Sequence, residues 1–229
     1  MINTLRDNDS SLLRLMQLVS PALPIGAYAY SQGMEYAVHA AWLHDEISAE
    51  AWIIGLLQHP LSRLDVPVFA RFHAAWDAND SDGVRYWSAF LNACRESREL
   101  QEEDRRLGAA LARLLHDLGV SEAAPWINDP CASLAALFAL AACRWRIPVA
   151  AAAQAYLWAW AENQVAAAIK LIPLGQSAGQ RILSRAITVI PVAVSRGMAL
   201  SDEEIGFVTQ RFAIGSALHE VQYSRLFRS

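Results

Sequence analysis

Six histidines and three cysteines are the side chains best suited to hold a transition metal, and their spacing argues against such a site. His39, His44, His59, His73, His116 and His219 are dispersed, with no HxxxH pair and no Cys–His cluster, whereas a nickel or zinc centre needs several ligands converging on one ion. Cys94, Cys131 and Cys143 are an odd, scattered set without CxxC spacing, which reads as buried thiols in a reducing, cytosolic compartment. The stretch Pro173–Arg181 is glycine-spaced but lacks the Lys-Ser/Thr step with which a P-loop meets phosphate and magnesium. Gly175 and Gly179 are read instead as letting a helix start and lie close against a neighbour. No GxSxG elbow or kinase signature occurs. The spacing therefore nominates no catalytic residue, no metal ligand and no cofactor.

Three other segments stand out. Ser20–Glu35 carries Pro21, Pro24, Gly26 and Gly33 together with Tyr28 and Tyr30, and reads as an ordered loop entering a helix. Its two rings serve either as a rigid contact surface or as filling for a gap in the core. Arg95–Arg106 contains the i,i+4 pairs Arg95–Glu99, Arg98–Glu102 and Glu102–Arg106, the pattern of a solvated helix face or of a charged docking face. The segment His219–Ser229 groups Tyr223, Leu226 and Phe227 beside Arg225 and Arg228. Exposed, this is the composition of a binding surface; packed back, it is a last helical turn with its cations well placed against the helix dipole.

The elements that must position these segments read as helices throughout. Ala110, Leu111, Leu114, Leu115 and Leu118 fall at the three-four spacing of one apolar stripe. Val84, Trp87, Phe90, Leu91 and Cys94 repeat it, as do Phe69, Phe72, His73 and Trp76, and Leu12, Leu15, Met16 and Val19. No alternating strand pattern of comparable length appears. Prolines at 21, 24, 60, 67, 125, 130, 148, 173 and 191 punctuate the chain, since each disfavours helix in the residue before it. The expectation is an all-α bundle of about ten helices in one domain over residues 1–229. Ala186–Val194 is expected to be a buried helix interrupted near Pro191, and Ser201 with Glu204 has capping-box spacing for a helix starting there.

Composition bounds the rest. Apolar residues make up 54% and charged residues 18%, which leaves little polar surface and implies that some apolar surface meets a partner. A net charge of −4 supplies no broad positive field, so nucleic acid is excluded as a partner. Met1–Ser10 has no apolar h-region of a signal peptide. Cys131–Cys143 is too short to span a bilayer, and Pro148–Ile169 is broken by Gln154, Glu162, Asn163 and Gln164, so no membrane span is expected. A small helical enzyme with dispersed catalytic residues remains the alternative to an interaction protein.

The loop Leu23–Glu35, the run Arg95–Leu100 and the end His219–Ser229, with Lys170–Gln176 as a fourth match, resemble in order and separation the urease accessory protein F family. The resemblance runs from about residue 12 to Ser229. It weakens at Trp126–Ser133, where family members often carry a histidine-proline element and this chain has Asn128-Asp129-Pro130-Cys131. It implies an all-helical, homodimeric, cytoplasmic scaffold that binds the accessory GTPase and the accessory protein called D or H, and with them delivers nickel to apo-urease. The partner-binding residues expected on this basis are Tyr28, Tyr30, Ser31, Gln32 and Glu35 in the loop, Lys170 and Gln176, and, in the final segment, His219, Glu220, Gln222, Tyr223, Arg225, Leu226, Phe227 and Arg228. The final segment is expected to order on or against the D/H partner, and its removal to leave the fold intact.

Overall fold

A computed structural model describes residues 2–229, with side chains from Ser10 onward. Ten α-helices follow in order: α1 Ile2–Leu18, α2 Met34–His39, α3 Glu46–Leu56, α4 Val66–Asp77, α5 Ser81–Ala93, α6 Arg98–Asp117, α7 Leu134–Arg144, α8 Val149–Leu171, α9 Gln176–Met198 and α10 Gln210–His219. No strand occurs among the described residues, so the all-α expectation holds. Single turns of 3₁₀ helix at Ala27–Ala29 and Asp202–Glu204, a longer one at Ser121–Trp126 and a π-helical stretch at Leu57–Asp65 accompany them.

Prolines mark the boundaries less strictly than the sequence suggests. Pro67 lies in the first turn of α4, which continues the preceding helical stretch rather than starting from a free end. Pro60, expected to end a helix, instead lies in a π-helical stretch, Leu57–Asp65, that joins α3 to α4 without a break. The wider turn of that stretch accommodates a residue that cannot donate. Helix α9 likewise runs through Pro191 rather than stopping there. Ser201 and Glu204 do form a reciprocal capping box, but it opens one 3₁₀ turn and not an α-helix.

The centre of the bundle is made where small residues let backbones approach. Gly108 of α6 faces the main chain of Ser133, where an added Cβ would lie 2.7 Å from the Ser133 carbonyl carbon. Gly179 of α9 lies against Ile169 and Val165 of α8, the close approach expected of that glycine. Gly197 has no room for a side chain against the Ser62 carbonyl, and Ser62 Oγ donates to the Ala193 carbonyl at 2.9 Å, so α9 lies directly on the π-helical stretch. Phe69, Phe138 and Tyr156 form a ring cluster with centroids 5.5 to 6.0 Å apart, and Trp76 Nε1 donates to the Ala136 carbonyl at 2.8 Å. The stripe of α1 behaves differently, for Leu12, Leu13 and Met16 are exposed and the helix touches the core through Leu15, Leu18 and Val19.

Candidate partner-docking site

Helix α10 ends at His219, and the segment beyond it leaves the helix axis and turns back across the molecule in irregular conformation. It is not a last helical turn. The segment settles between the loop before α2 and the first turns of α6, so that three stretches far apart in sequence meet at one place.

The loop is shaped for this by Gly26 and Gly33, both at positive φ, a region open to glycine and strained for most other residues. Gly33 also abuts the α10 backbone, where a Cβ would stand 2.7 Å from the Ser216 nitrogen. The loop thereby presents Ser31 and Gln32, whose main-chain N–H groups both donate to the Ser229 carbonyl oxygen, at 2.7 and 3.0 Å. Ser31 Oγ donates to the same oxygen at 2.7 Å, and the Arg228 N–H donates to the Ala29 carbonyl at 2.8 Å. Asn163 of α8 holds the loop from behind by donating to the Tyr30 carbonyl at 3.1 Å.

Glu35, in the first turn of α2, organises the other half. Its carboxylate accepts from the main-chain N–H groups of Leu226 at 2.6 Å and Phe227 at 2.8 Å, and lies 3.3 Å from His219 Nε2. His219 is fully buried, and its Nδ1 is 2.6 Å from Glu99 of α6, which in turn accepts from Arg225 at 2.5 Å. Glu220 Oε1 accepts from the Glu99 N–H at 3.0 Å. Phe227 is 6% exposed, with the Lys170 ammonium 5.6 Å from its ring centre, a cation–π arrangement.

The expected contact residues therefore fall into two groups. Tyr30, Ser31, Glu35, His219 and Phe227 are buried in the joint; they hold the segment and offer no surface of their own. Gln32 is half-buried within it. Tyr28, Tyr223 and Leu226 are exposed, Leu226 at 68%, and Glu220, Arg225 and Arg228 face solvent beside them. Gln222 is half-buried, its amide donating to the Ser224 carbonyl at 2.9 Å. Lys170 joins the cluster through Phe227, whereas Gln176 lies exposed at the start of α9, outside this network.

Helix α6 departs from its reading as a solvated face. It starts at Arg98, capped by Ser97 Oγ accepting from the Leu100 N–H at 3.2 Å, so Arg95 precedes the helix and cannot pair with Glu99 as a helical neighbour. Arg95 instead binds Asp65 through both terminal nitrogens, at 2.7 and 3.3 Å. Of the three expected pairs only Glu102–Arg106 forms, at 2.6 Å, with Arg105 added on the same carboxylate. The Arg105 guanidinium foremost, and Arg106 with it, hold the Glu102 carboxyl down at about 2.

Glu103 belongs to the joint and was missed. It is buried, accepting from Ser229 Oγ at 2.6 Å and Gln32 Nε2 at 2.8 Å, while Gln32 Oε1 accepts from Trp160 Nε1 at 2.7 Å. Burial pushes its carboxyl up to about 7. The signal was present in the sequence, because Leu100, Glu103, Leu107 and Leu111 share one three-four stripe, which places Glu103 on the apolar face.

Among the described residues no three His, Cys, Asp or Glu side chains stand together as a metal site, and no helix is long and apolar enough to cross a membrane. The UreF family model matches residues 43–187. The chain is 57% identical to a urease accessory protein UreF of Alkalilimnicola ehrlichii, over 94% of this chain and 95% of the relative. It is 46% identical to one of Teredinibacter turnerae, covering 96% and 100%, and 45% identical to one of Hahella chejuensis, covering 96% and 98%.

Proposed function

Because this chain belongs to the UreF family of urease accessory proteins, with its role in urease maturation, we propose that it acts as the scaffold on which the accessory GTPase and the D/H accessory protein assemble for nickel delivery to apo-urease. It works in the cytoplasm as a homodimer, and nickel is cargo rather than a resident group. The carrying observation is the meeting of the loop, the α6 run and the final segment at one joint. Its buried members fix a backbone that leaves Tyr28, Tyr223, Arg225, Leu226 and Arg228 exposed, the side chains assigned to one docking face.

Such a face combines large rings with guanidinium donors, the composition from which binding hot spots are drawn. The D/H partner docks there, and the scaffold modulates GTP turnover by the GTPase it holds beside it. The test is capture of tagged D/H protein and GTPase from co-expressing cells by wild type and by Tyr223→Ala/Leu226→Ala, with melting of each chain in parallel. Lost capture at unchanged melting is the expected result. Wild-type capture by the double variant overturns the docking face, and GTP turnover indifferent to this chain overturns the modulating role.

A further inference from the structure

Glu103 is a buried carboxylate whose contacts are neutral. Oε1 accepts from Gln32 and Oε2 from Ser229, while Arg95, which acts on it from a distance, is bound at both ends to Asp65. The polarity of this network is set from its far end. An indole N–H only donates, so the bond from Trp160 makes Gln32 Oε1 an acceptor. Gln32 must then turn its amide nitrogen to Glu103, and Glu103 Oε1 must accept. A proton on this carboxyl has one place to sit, Oε2, facing Ser229, whose hydroxyl can donate or accept. Protonation therefore reverses one hydrogen bond and breaks none.

We propose that Glu103 and Ser229 form a proton-operated latch on residues 222–229, gripping that segment more tightly as pH falls through neutrality. This does not depend on which partner the exposed face meets. With the segment seated, exclusion of water raises the Glu103 carboxyl to about 7, Asp104 adding to the rise and Ser229, Gln32 and Arg95 opposing it. With the segment lifted, the cleft between the segment and α6, bordered by Arg98, Glu102 and Arg106, opens onto Glu103, and its carboxyl returns toward the ordinary 4.5. The charged form then favours the lifted segment and the protonated form the seated one. With these two values, raising pH from 6 to 8 multiplies the lifted-to-seated ratio about tenfold.

Other ionisable groups face the same place. The loop contributes Tyr30, α8 contributes Tyr156, and the segment itself contributes Arg228 and Arg225, the latter on Glu99. Among them His219, between Glu35 and Glu99 on the opposite side of the segment, is the group from which the latch must be separated.

Hydrogen–deuterium exchange of residues 222–229 in the full chain, corrected for the chemical exchange rate at each pH, makes the separation. Wild type should lose about tenfold protection between pH 6 and 8. Glu103→Gln reproduces the protonated pattern, accepting from Gln32 and donating to Ser229, and should stay protected equally at both pH values. Protection that is unchanged in wild type, or a fall that survives in Glu103→Gln, overturns the proposal. Should Glu103→Gln fail to fold, Ser229→Ala decides: removing a bond that holds the carboxyl down must move the midpoint of the fall to higher pH, and a midpoint unmoved or lowered refutes the latch.

Discussion

Phe227 and Leu226 are neighbours whose substitutions should separate seating from docking. Phe227 is 6% exposed and packs into the main apolar core, while Leu226 is 68% exposed. Truncating a buried Phe to Ala costs about 3–5 kcal/mol; a segment able to lift away from the core relaxes around the loss, which points to the lower end, about 3 kcal/mol. For a chain of this size each kcal/mol lowers Tm by about 2–4 °C, so Phe227→Ala should melt about 6–12 °C below wild type. Leu226→Ala should stay within about 0.5 kcal/mol of wild type, because no packing is lost at an exposed position. Calorimetric melting of both variants, with capture of the D/H partner measured below the lower Tm, provides the assay. Leu226→Ala should lose capture with its melt intact, whereas Phe227→Ala should lose stability first. Equal melting of the two variants would refute the assignment of Phe227 to the core.

Gly108→Ala should destabilise by roughly 1–3 kcal/mol in urea unfolding, since its Cβ would meet Ser133 main chain at 2.7 Å. Gly55→Ala, with nothing within 4 Å in mid-helix, should instead stabilise by about 0.4–1 kcal/mol. Arg95→Met strands the buried Asp65 carboxylate and should lower the denaturant midpoint by the equivalent of about 3–5 kcal/mol, part of which Asp65→Leu in the same chain should restore. For Glu103 the folded chain keeps a proton that the unfolded chain has released between pH 4.5 and 7, so its contribution to stability falls as pH rises through that window, by about 3 kcal/mol at most. The difference between wild type and Glu103→Gln, followed by chemical denaturation across that range, should show this slope and flatten above it. Isothermal titration of nickel into the isolated chain should give no tight stoichiometric site, and one tight ion per chain would contradict the role of nickel as passing cargo.

Helices were legible because their apolar stripes are regular: the Leu111–Leu115 stripe became α6, and the Phe69–Trp76 stripe α4. Proline was the less reliable guide. Its steric rule acts on the preceding residue, and packing against α9 holds the chain helical through Pro60 all the same. At the joint, residue types were legible and directions were not. Glu35 and His219 appear in sequence as polar residues near aromatics, and nothing local shows that one carboxylate will gather two main-chain N–H groups and an imidazole from 184 or more residues away. Glu103 could have been found, because it interrupts a leucine stripe, but the surrounding charge run masked it. Residues 222–229 were expected to be dispensable for the fold; because Glu35, Ser31 and Glu103 all bond to them and Phe227 packs into the core, deleting them should lower the melting temperature.

Ser31 and Ser229 are bonded across 198 positions of chain, which gives the joint a place in time as well as in space. During synthesis the loop and α6 emerge before residues 222–229 and must wait, their polar groups still hydrated, until that segment has left the ribosome. Nascent chains can pack α6 against α7 before that moment, yet none can close the layer around Glu35 and Glu103. The exposed face at the joint thus forms only after that segment, so a chain lacking residues 222–229 lacks the surface proposed for docking.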